Sequence, residues 1–370
     1  MKFLNILDPS RSDLSRQKKI LVIGAANSTR EIIEPYTERS KGNKYLLDEN
    51  SFIEHPGGGG FNYAARLLSL GINVIPILPI ADDSYGDQIR ESLMSASIKG
   101  RVNFNSDLLF FMNGEKIRTP SSTIIKQGTS SKIYIEISSK VIDRFPEHCR
   151  SIIKKMPSDL DFIIIGHIHS DYKNTASLTK EVINYYHKKQ IPIFANFGLS
   201  QISYGFNEWK SSLSKLDLLQ LNIDEVKALF FEQNITSIDK ILGLFRGVCT
   251  IAITLGELGA IIQMKKEKNA LYIPAYKLKN NEITGTVGAG DAFGAGLLSY
   301  ITEKKSKITK IPLPALSRAN ICAAQACTMD LLSYSFPDFI ELNSFAKEHN
   351  PPLVKEIDKD VISFLFPRVN

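Results

Sequence analysis

The sequence predicts an α/β fold, in which helices cover both faces of a central, mostly parallel sheet and a small β-lid stands beside it. Three observations predict this fold. Short apolar runs typical of buried parallel strands recur along the 370 residues. Stretches with apolar residues three and four positions apart lie between those runs, and strands that alternate with helices imply a parallel sheet. Two polar segments interrupt the alternation and are predicted to form the lid.

The chain begins with a largely polar segment, residues 1–19, which we interpret as an N-terminal extension. The fold proper opens at the apolar run Ile20–Ile23, which Gly24 closes. We expect residues 20–370 to form one domain, because the motifs described below are spread over most of that range and cannot be divided into independent halves.

Strands and helices then alternate along the chain. The further predicted strands are Val74–Leu78, Phe162–Ile165, Ile191–Ala195, Leu216–Leu221 and Thr250–Leu255. The predicted helices are Asn62–Leu70, Gly86–Ser95, Ser177–Lys188, Asp224–Phe231 and Ile238–Phe245. Each helical stretch has the apolar spacing of a helix that buries one face.

The lid is expected from two segments, at about 28–56 and 102–139, which are rich in Ser, Thr, Ile, Tyr and polar residues. Within the second segment, Lys132–Ile137 alternates polar and apolar residues with a period of two, as a half-exposed strand does. We expect a small antiparallel sheet that stands off the main core. Such a sheet is suited to covering a site, to forming an oligomer contact, or to both.

Charge and composition exclude several classes of protein. The excess of 45 Lys+Arg over 39 Asp+Glu gives a net charge of +6, which a chain of this length dilutes. The basic clusters Lys265–Lys268 and Lys304–Lys310 are typical of solvated loops, so we expect no nucleic-acid partner.

The four cysteines contain no C-x-x-C pair and no zinc-finger spacing, which favours a reducing compartment. The apolar start of the chain is too short for a signal peptide, and no stretch approaches the roughly 18 apolar residues of a membrane helix. The sequence therefore predicts a cytoplasmic protein without a membrane partner.

The most informative segment is the glycine-rich stretch that includes Gly288, Ala289, Gly290 and Asp291. Three small residues lead directly into a predicted helix, where exposed amides and the helix dipole together attract an anion. Beside a phosphate bound there, Asp291 is suited to accept the proton of an incoming hydroxyl group. The alternative is a simple turn in which Asp291 caps the helix. The segment is not a P-loop, because no Lys-Ser or Lys-Thr follows the glycines.

A second glycine run, Gly57–Gly60, precedes Asn62 in the segment His55–Arg66. Glycines allow the backbone to approach a ligand closely, and the Asn62 amide can both donate and accept hydrogen bonds. These properties suit the binding of sugar hydroxyl groups through Gly57, Gly58, Gly59 and Asn62. A flexible loop is the alternative interpretation of the glycine run alone.

These two segments, in this order, resemble the signatures of the ribokinase-like (PfkB) carbohydrate kinases, and the likeness extends from about Ile20 to Ser335. The resemblance implies a ribokinase-like fold and transfer of a phosphoryl group from ATP to an alcohol. It implies that Asp291 is the base and that Gly288, Ala289 and Gly290 form the anion hole. ATP and Mg²⁺ are the cofactors that it implies.

Further matches to the family lie on the nucleotide side. Asn222 and Glu225 resemble an N-x-x-E motif that acts on magnesium and phosphate, largely through water, although a helix cap with a capping box explains the same pair. Thr254 and Gly256 resemble the segment that lines the phosphates of ATP. Asn320 falls where family members contact adenine.

The sequence also departs from the family pattern. Many members carry an aspartate six residues before the base, where this chain has Gly285, so activation by a monovalent cation is in doubt. Near the first strand, Asn27 and Thr29 replace an aspartate that binds substrate hydroxyls in many sugar kinases. These departures leave the particular sugar open.

His167 and His169 follow an apolar strand on one face and raise the alternative of a metal hydrolase. The chain has only six histidines, and no further ligands accompany this pair. By the family resemblance this strand end approaches the substrate, which makes His167 a candidate for contact with a hydroxyl group.

The sequence therefore predicts an ATP-dependent kinase of a small sugar, similar to ribokinase or fructokinase. A nucleoside kinase, similar to adenosine kinase, is the alternative within the same class. A protein that binds a sugar or nucleotide without catalysis is the alternative from another class. By resemblance, the lid also suggests a homodimer formed lid to lid.

Overall fold

The structure is a computed structural model. It describes residues 19–33, 52–114, 117–127, 130–137, 140–168, 172–231, 237–304, 310–329, 335–358 and 361–362. Apart from Lys19, the predicted N-terminal extension 1–19 lies outside the described residues, and so does His169.

Within these ranges, thirteen strands form two sheets. The strands are β1 (Lys19–Ile23), β2 (Asn27–Ile33), β3 (Phe52–Gly57), β4 (Asn73–Ile77), β5 (Ser121–Gln127), β6 (Ser130–Ile137), β7 (Phe162–Ile165), β8 (Ile193–Asn196), β9 (Leu218–Asn222), β10 (Thr250–Thr254), β11 (Ala260–Gln263), β12 (Ala270–Ile273) and β13 (Lys355–Ile357).

The same ranges contain eleven α-helices. They are α1 (Gly59–Ser69), α2 (Ser84–Lys99), α3 (Lys140–Ile153), α4 (Tyr172–Lys188), α5 (Leu199–Ile202), α6 (Gly205–Leu213), α7 (Ile223–Leu229), α8 (Ile238–Phe245), α9 (Ala289–Glu303), α10 (Leu313–Cys327) and α11 (Phe339–Glu348).

The larger sheet has the strand order β13-β12-β11-β10-β9-β8-β7-β1-β4. The six strands from β10 to β4 run parallel to one another, and β11, β12 and β13 continue the sheet in antiparallel fashion. Two apolar clusters of buried side chains pack on its two faces. The central, mostly parallel sheet covered by helices is thus confirmed.

The smaller sheet is the lid, with the order β3-β2-β5-β6. Two strands come from the first predicted lid segment and two from the second. The expectation of an antiparallel sheet was wrong for one pair, because β2 and β5 run parallel while the β2–β3 and β5–β6 pairs are antiparallel. The chain returns to the larger sheet after β3 through α1 and β4, so β5 enters the lid in the same direction as β2.

Helix α1 begins at Gly59, three residues before the predicted start at Asn62. The amide of Asn62 donates to the carbonyl of Gly58 at 2.9 Å, so the glycine run itself forms the first helical turn. Asn62 therefore lies within that first turn, where its side chain is held by a rigid element.

No described helix is long and apolar enough to cross a membrane.

Candidate active site

Asp291 and Asn62 are 229 residues apart in the chain and form one hydrogen-bonded pair. Asn62 Nδ2 donates to Asp291 Oδ2 at 2.8 Å. Asp291 lies in the first turn of α9, and Asn62 in the first turn of α1. The N-termini of two helices thus meet at this pair, which brings together the two glycine-rich segments singled out in the sequence.

Gly288 caps α9 in the left-handed conformation, with a φ of 78°. Residues with a side chain rarely adopt this conformation, which explains a glycine at this position. The Ala289 amide donates to the Thr286 carbonyl at 3.2 Å. The amides of Gly290 and Asp291 follow it in the first turn, where an α-helix supplies no acceptor of its own. These two amides are the best candidates for contact with an anion.

The pKa of the Asp291 carboxyl is raised to about 6. Burial is the main cause, because it penalises the charged form. The hydrogen bond from Asn62 and the positive charge of Arg66 act in the opposite direction and lower the pKa. The resulting value leaves Asp291 ionised at neutral pH and more basic than an exposed aspartate, as a general base requires.

The glycine turn at the start of α1 packs directly against the end of β1. A Cβ atom on Gly60 would lie 2.6 Å from the carbonyl carbon of Gly24, so only glycine fits there. A Cβ atom on Gly59, in contrast, would lie 3.6 Å from Asp291 Oδ1 and 3.7 Å from the His167 amide nitrogen. Gly59 therefore borders the space in front of the predicted base.

Asn27 and Thr29 lie on β2, at the base of the lid, and both are buried. Thr29 Oγ1 donates to Asn27 Oδ1 at 2.9 Å and lies 3.2 Å from Ser122 Oγ. A Cβ atom on Gly57 would approach Thr29 Oγ1 to 2.2 Å. The two residues predicted to bind substrate therefore adjoin the glycine run through Gly57.

His167 follows β7 and borders the same space through Gly59. Its Nε2 lies 3.3 Å from Ser200 Oγ, and its ring leaves no room for a Cβ atom on Gly198. The contact with Ser200 of α5 thus positions the imidazole beside the glycine turn. Contact between His167 and a substrate hydroxyl group stays a prediction.

Asn222 and Glu225 form the capping box of α7, with reciprocal hydrogen bonds of 2.8 Å between each backbone amide and the other side chain. The structural alternative for this pair is therefore present. The pKa of the Glu225 carboxyl is nevertheless raised to about 7, chiefly by burial and in addition by the negative charges of Asp291 and Asp224. The charge of Asp291 thus acts on Glu225, although the two residues lie in the first turns of different helices, α9 and α7.

The donor set fits magnesium, which needs only one or two carboxylates when phosphate oxygens and water complete its shell. Glu225 Oε2 is used by the capping box, while Oε1 is a second oxygen on the same carboxylate. The raised pKa values of Glu225 and Asp291 are those of carboxylates that a nearby cation would stabilise. The described residues contain no cluster of three or more His, Cys, Asp or Glu side chains that could hold a metal without such a ligand.

Thr254 and Gly256 lie at the end of β10, and Thr254 is paired in register with Asn222 of β9. Gly256 has a φ of 60°, and a Cβ atom there would meet no atom within 4 Å, so this turn faces open space. Asn320 of α10 is buried, and its amide donates to the Pro274 carbonyl at 3.0 Å. Its predicted contact with adenine therefore stays a prediction.

Several residues that line the pocket were not predicted from the sequence, and three of them carry titratable side chains. Glu31, His55 and Arg66 line one pocket together with Thr29, Asn62 and Gly288. The sequence contains a signal for Glu31, because Glu31 follows Thr29 by two residues on a strand and the two side chains therefore share a face of that strand. Arg66 follows Asn62 by four residues on a helix, which is the spacing of neighbours on one face.

Phe61 and Tyr63 flank Asn62, and both are fully buried. Phe61 packs edge-on against Phe336, and Tyr63 packs edge-on against Phe194. The two aromatic rings thus serve the packing of α1 and do not form a wall of the pocket.

A basic carboxylate, an adjacent helix N-terminus and a lidded pocket can together deprotonate a hydroxyl group and hold a phosphoryl group beside it. With the α/β fold, this arrangement defines a class of protein, the small-molecule kinases with a lid. The chain belongs to the PfkB family of carbohydrate kinases, whose family model matches residues 17–338. The family resemblance inferred from the two glycine-rich segments is confirmed, and the protein is a sugar kinase by class.

Known proteins agree with this membership. The chain is 23% identical to the ribokinase of Bacillus subtilis over 288 residues, which cover 78% of this chain and 87% of that protein. A carbohydrate kinase from Agrobacterium tumefaciens has the same fold, with a TM-score of 0.67, 21% identity and coverage of 92% of this chain and 100% of that structure. A fructokinase from Xylella fastidiosa with bound ATP gives a TM-score of 0.65 at 16% identity, covering 90% and 99%.

Proposed function

We propose that this protein transfers the γ-phosphoryl group of ATP to a hydroxyl group of a small sugar, with Asp291 as the general base. The observation that carries the proposal is the position of Asp291 in the first turn of α9. Its carboxylate accepts a hydrogen bond from Asn62, and the pKa of the carboxyl is raised to about 6. A helix cap alone would not explain a carboxylate that accepts a hydrogen bond from the first turn of a second helix, α1.

Each residue of the site has a role in this reaction. Asn27, Thr29 and Asn62 hold the sugar so that one hydroxyl group faces Asp291, with Gly57, Gly58 and Gly59 bordering the sugar. Asp291 accepts the proton of that hydroxyl group as the oxygen attacks phosphorus. The amides at the start of α9, around Gly288, Ala289 and Gly290, stabilise the negative charge on the transferred group.

The nucleotide side is assigned to the ends of β9 and β10. We propose that Asn222 and Glu225 hold Mg²⁺ through water, and that Thr254, Gly256 and Asn320 border the nucleotide. Magnesium, when bound, neutralises charge on the phosphates of ATP. Glu225 is suited to this role because its burial and the nearby charge of Asp291 favour a neighbouring cation.

The experiment that tests the proposal compares Asp291→Asn with wild type in a Mg-ATP assay against a panel of sugars and nucleosides. Loss of the general base should reduce turnover by about 100- to 10,000-fold while ATP binding is retained. Asp239→Asn is the matched control, because Asp239 occupies the first turn of another helix, α8. Near-normal turnover of Asp291→Asn would overturn the assignment of the base.

The panel also decides between the alternatives. If nucleosides and no free sugars stimulate ADP release, the substrate is a nucleoside. If wild type releases no ADP above background with any compound, the protein binds its ligand without catalysis. We place the reaction in the cytoplasm, a proposal supported by four cysteines that are free thiols.

A further inference from the structure

The inner face of the lid carries polar side chains in a regular order. Asn27, Thr29 and Glu31 alternate along β2 with residues of the opposite face. His55 of β3 and Ser122 of β5 are the register partners of Thr29 on either side. Since side chains of paired strands share a face, all five lie on the same side of the lid.

Glu31 and His55 are joined within this face. His55 Nε2 lies 3.1 Å from Glu31 Oε1, and His55 Nδ1 lies 2.9 Å from the Pro56 carbonyl. Glu31 is 1% exposed and His55 is 6% exposed. Each nitrogen of the imidazole thus lies within hydrogen-bond distance of an oxygen that can accept, one on the Glu31 carboxylate and one on the backbone.

Burying such a pair costs free energy, and an apolar pair would pack a small sheet equally well. Yet both side chains line the same pocket as Thr29, Asn62 and Gly288, which belong to the proposed site. The opposite face of the same two strands carries an exposed ion pair, Arg30 to Glu54 at 3.2 Å, as expected for a solvated surface. The polar pair on the inner face is therefore shielded from bulk solvent and forms part of the pocket wall.

Strand register places Glu31 farther from the glycine turn than Thr29, because Asn27 pairs with Gly57 and Thr29 with His55. A Cβ atom on Gly59 would lie 3.6 Å from Asp291 Oδ1, whereas one on Gly57 would contact Asn27 and Thr29. Two residues along a strand advance about 6.5 Å, so Glu31 lies roughly that far beyond Thr29. Moving along β2 away from the glycine turn that borders Asp291, the side chains come in the order Asn27, Thr29 and Glu31.

We propose that Glu31, positioned by His55, determines substrate specificity by accepting hydrogen bonds from hydroxyl groups at the end of the sugar remote from the transferred group. The preferred substrate is then a sugar with hydroxyl groups at both ends. This inference rests on the proposed function and names the substrate class of the same site.

The Glu31 carboxylate in the pocket lining is chemically suited to such a sugar. A carboxylate binds two adjacent hydroxyl donors well, and hydrogen bonds to a charged group are stronger than those between neutral groups.

The test measures sugar binding by calorimetry without ATP, and KM and kcat with Mg-ATP, for Glu31→Gln and Glu31→Asp. Glu31→Gln keeps the size of the side chain and removes its charge. We expect its KM and dissociation constant for the best sugar to rise at least tenfold, with kcat within threefold of wild type. Glu54→Gln is the matched control, since Glu54 lies on the outer face of the lid, and its constants should not change.

Deoxy analogues separate recognition from a structural role. The analogue that lacks the remote hydroxyl group should bind wild type and Glu31→Gln equally, because the lost contact is the same in both cases. A Glu31→Gln protein with wild-type thermal stability and sugar constants within twofold of wild type overturns the inference. If Glu31→Gln fails to fold, Glu31→Asp decides by the same comparison, because it keeps the charge and shortens the reach.

The two proposals fail in different ways. If Glu31→Gln weakens sugar binding and wild type releases no ADP, the role of Glu31 is supported and phosphoryl transfer is refuted. If wild type releases ADP and Glu31→Gln leaves this release unchanged, phosphoryl transfer is supported and the role of Glu31 is refuted. Wild type that binds no sugar refutes both.

Discussion

At the scale of single residues, two opposing effects set the pKa of the Asp291 carboxyl. Burial raises the pKa of its carboxyl, while the Asn62 amide and the Arg66 guanidinium lower it. Arg66 is 4% exposed, and its guanidinium lies 5.0 Å from the centroid of the Phe336 ring, which fixes it in a cation–π contact. A buried charge on the same helix face as Asn62 thus keeps the base ionised at neutral pH.

The activity of the enzyme should therefore depend on pH through Asp291. The base acts in its deprotonated form, so kcat/KM should fall as the pH drops through about 6, the pKa of Asp291. Replacing Arg66 by Met removes a charge that lowers this pKa, so the acid limb of the profile should move to higher pH. Arg66 and Glu225 are the charged residues that interact with Asp291, Asn62 is a neutral hydrogen-bond donor to it, and His167 borders the same space.

A pH series of kcat/KM for wild type and Arg66→Met measures this shift. Arg318→Met is the matched control, because Arg318 is also buried and also lies over aromatic rings. Arg318, in α10, is paired with Glu303 at the end of α9, away from the base. Arg318→Met should lower stability and leave the acid limb in place. An unchanged limb in Arg66→Met would contradict the electrostatic role of Arg66.

At the scale of elements, the start of α1 joins the larger sheet to the site. Gly60 packs against Gly24 at the end of β1, and the adjacent Gly59 faces Asp291 and His167. Two neighbouring glycines thus serve different purposes, one for packing and one for access to the base. The distinction follows from which side of the helical turn each one occupies.

Alanine substitutions at these two glycines should have opposite effects. In Gly60→Ala, the new methyl group would overlap the Gly24 backbone, so stability should fall by about 1–3 kcal/mol or more. In Gly59→Ala, the methyl group has ordinary contact distances, so stability should be kept while the KM for the sugar rises. Denaturant unfolding and steady-state kinetics of both variants measure the two effects. Equal stability of the two variants would refute this division of roles.

At the scale of the whole molecule, β3 and β6 are the edge strands of the lid among the strands that the structure describes. Edge strands present backbone donors and acceptors that a second chain can pair with. We predict a homodimer formed through the lid, which would bury these edges. Light scattering at micromolar concentration should then give twice the 41.3 kDa mass of the chain. A monomer over the whole concentration range would rule the dimer out.

Much of the architecture was predictable because it depends on local patterns. The apolar runs at Phe162–Ile165 and Ile238–Phe245 predicted a strand and a helix with the bounds that the structure has. The parallel pairing of β2 with β5 was not predictable, since it depends on the return of the chain through the larger sheet between them. Periodicity reports which face of an element is buried and says nothing about its direction relative to a distant neighbour.

The candidate site shows the same division. Glycine runs and an aspartate at a helix start are local signals, and they predicted Gly57–Gly60 and Gly288–Asp291 from the sequence alone. The sequence by itself thus determined the fold class, the kinase family and the candidate base. Only the tertiary structure decided that Asn62 bonds to Asp291 and that Glu31, His55 and Arg66 line the pocket. These relations depend on how separate elements approach one another, and burial and charge act through space between residues distant in the chain.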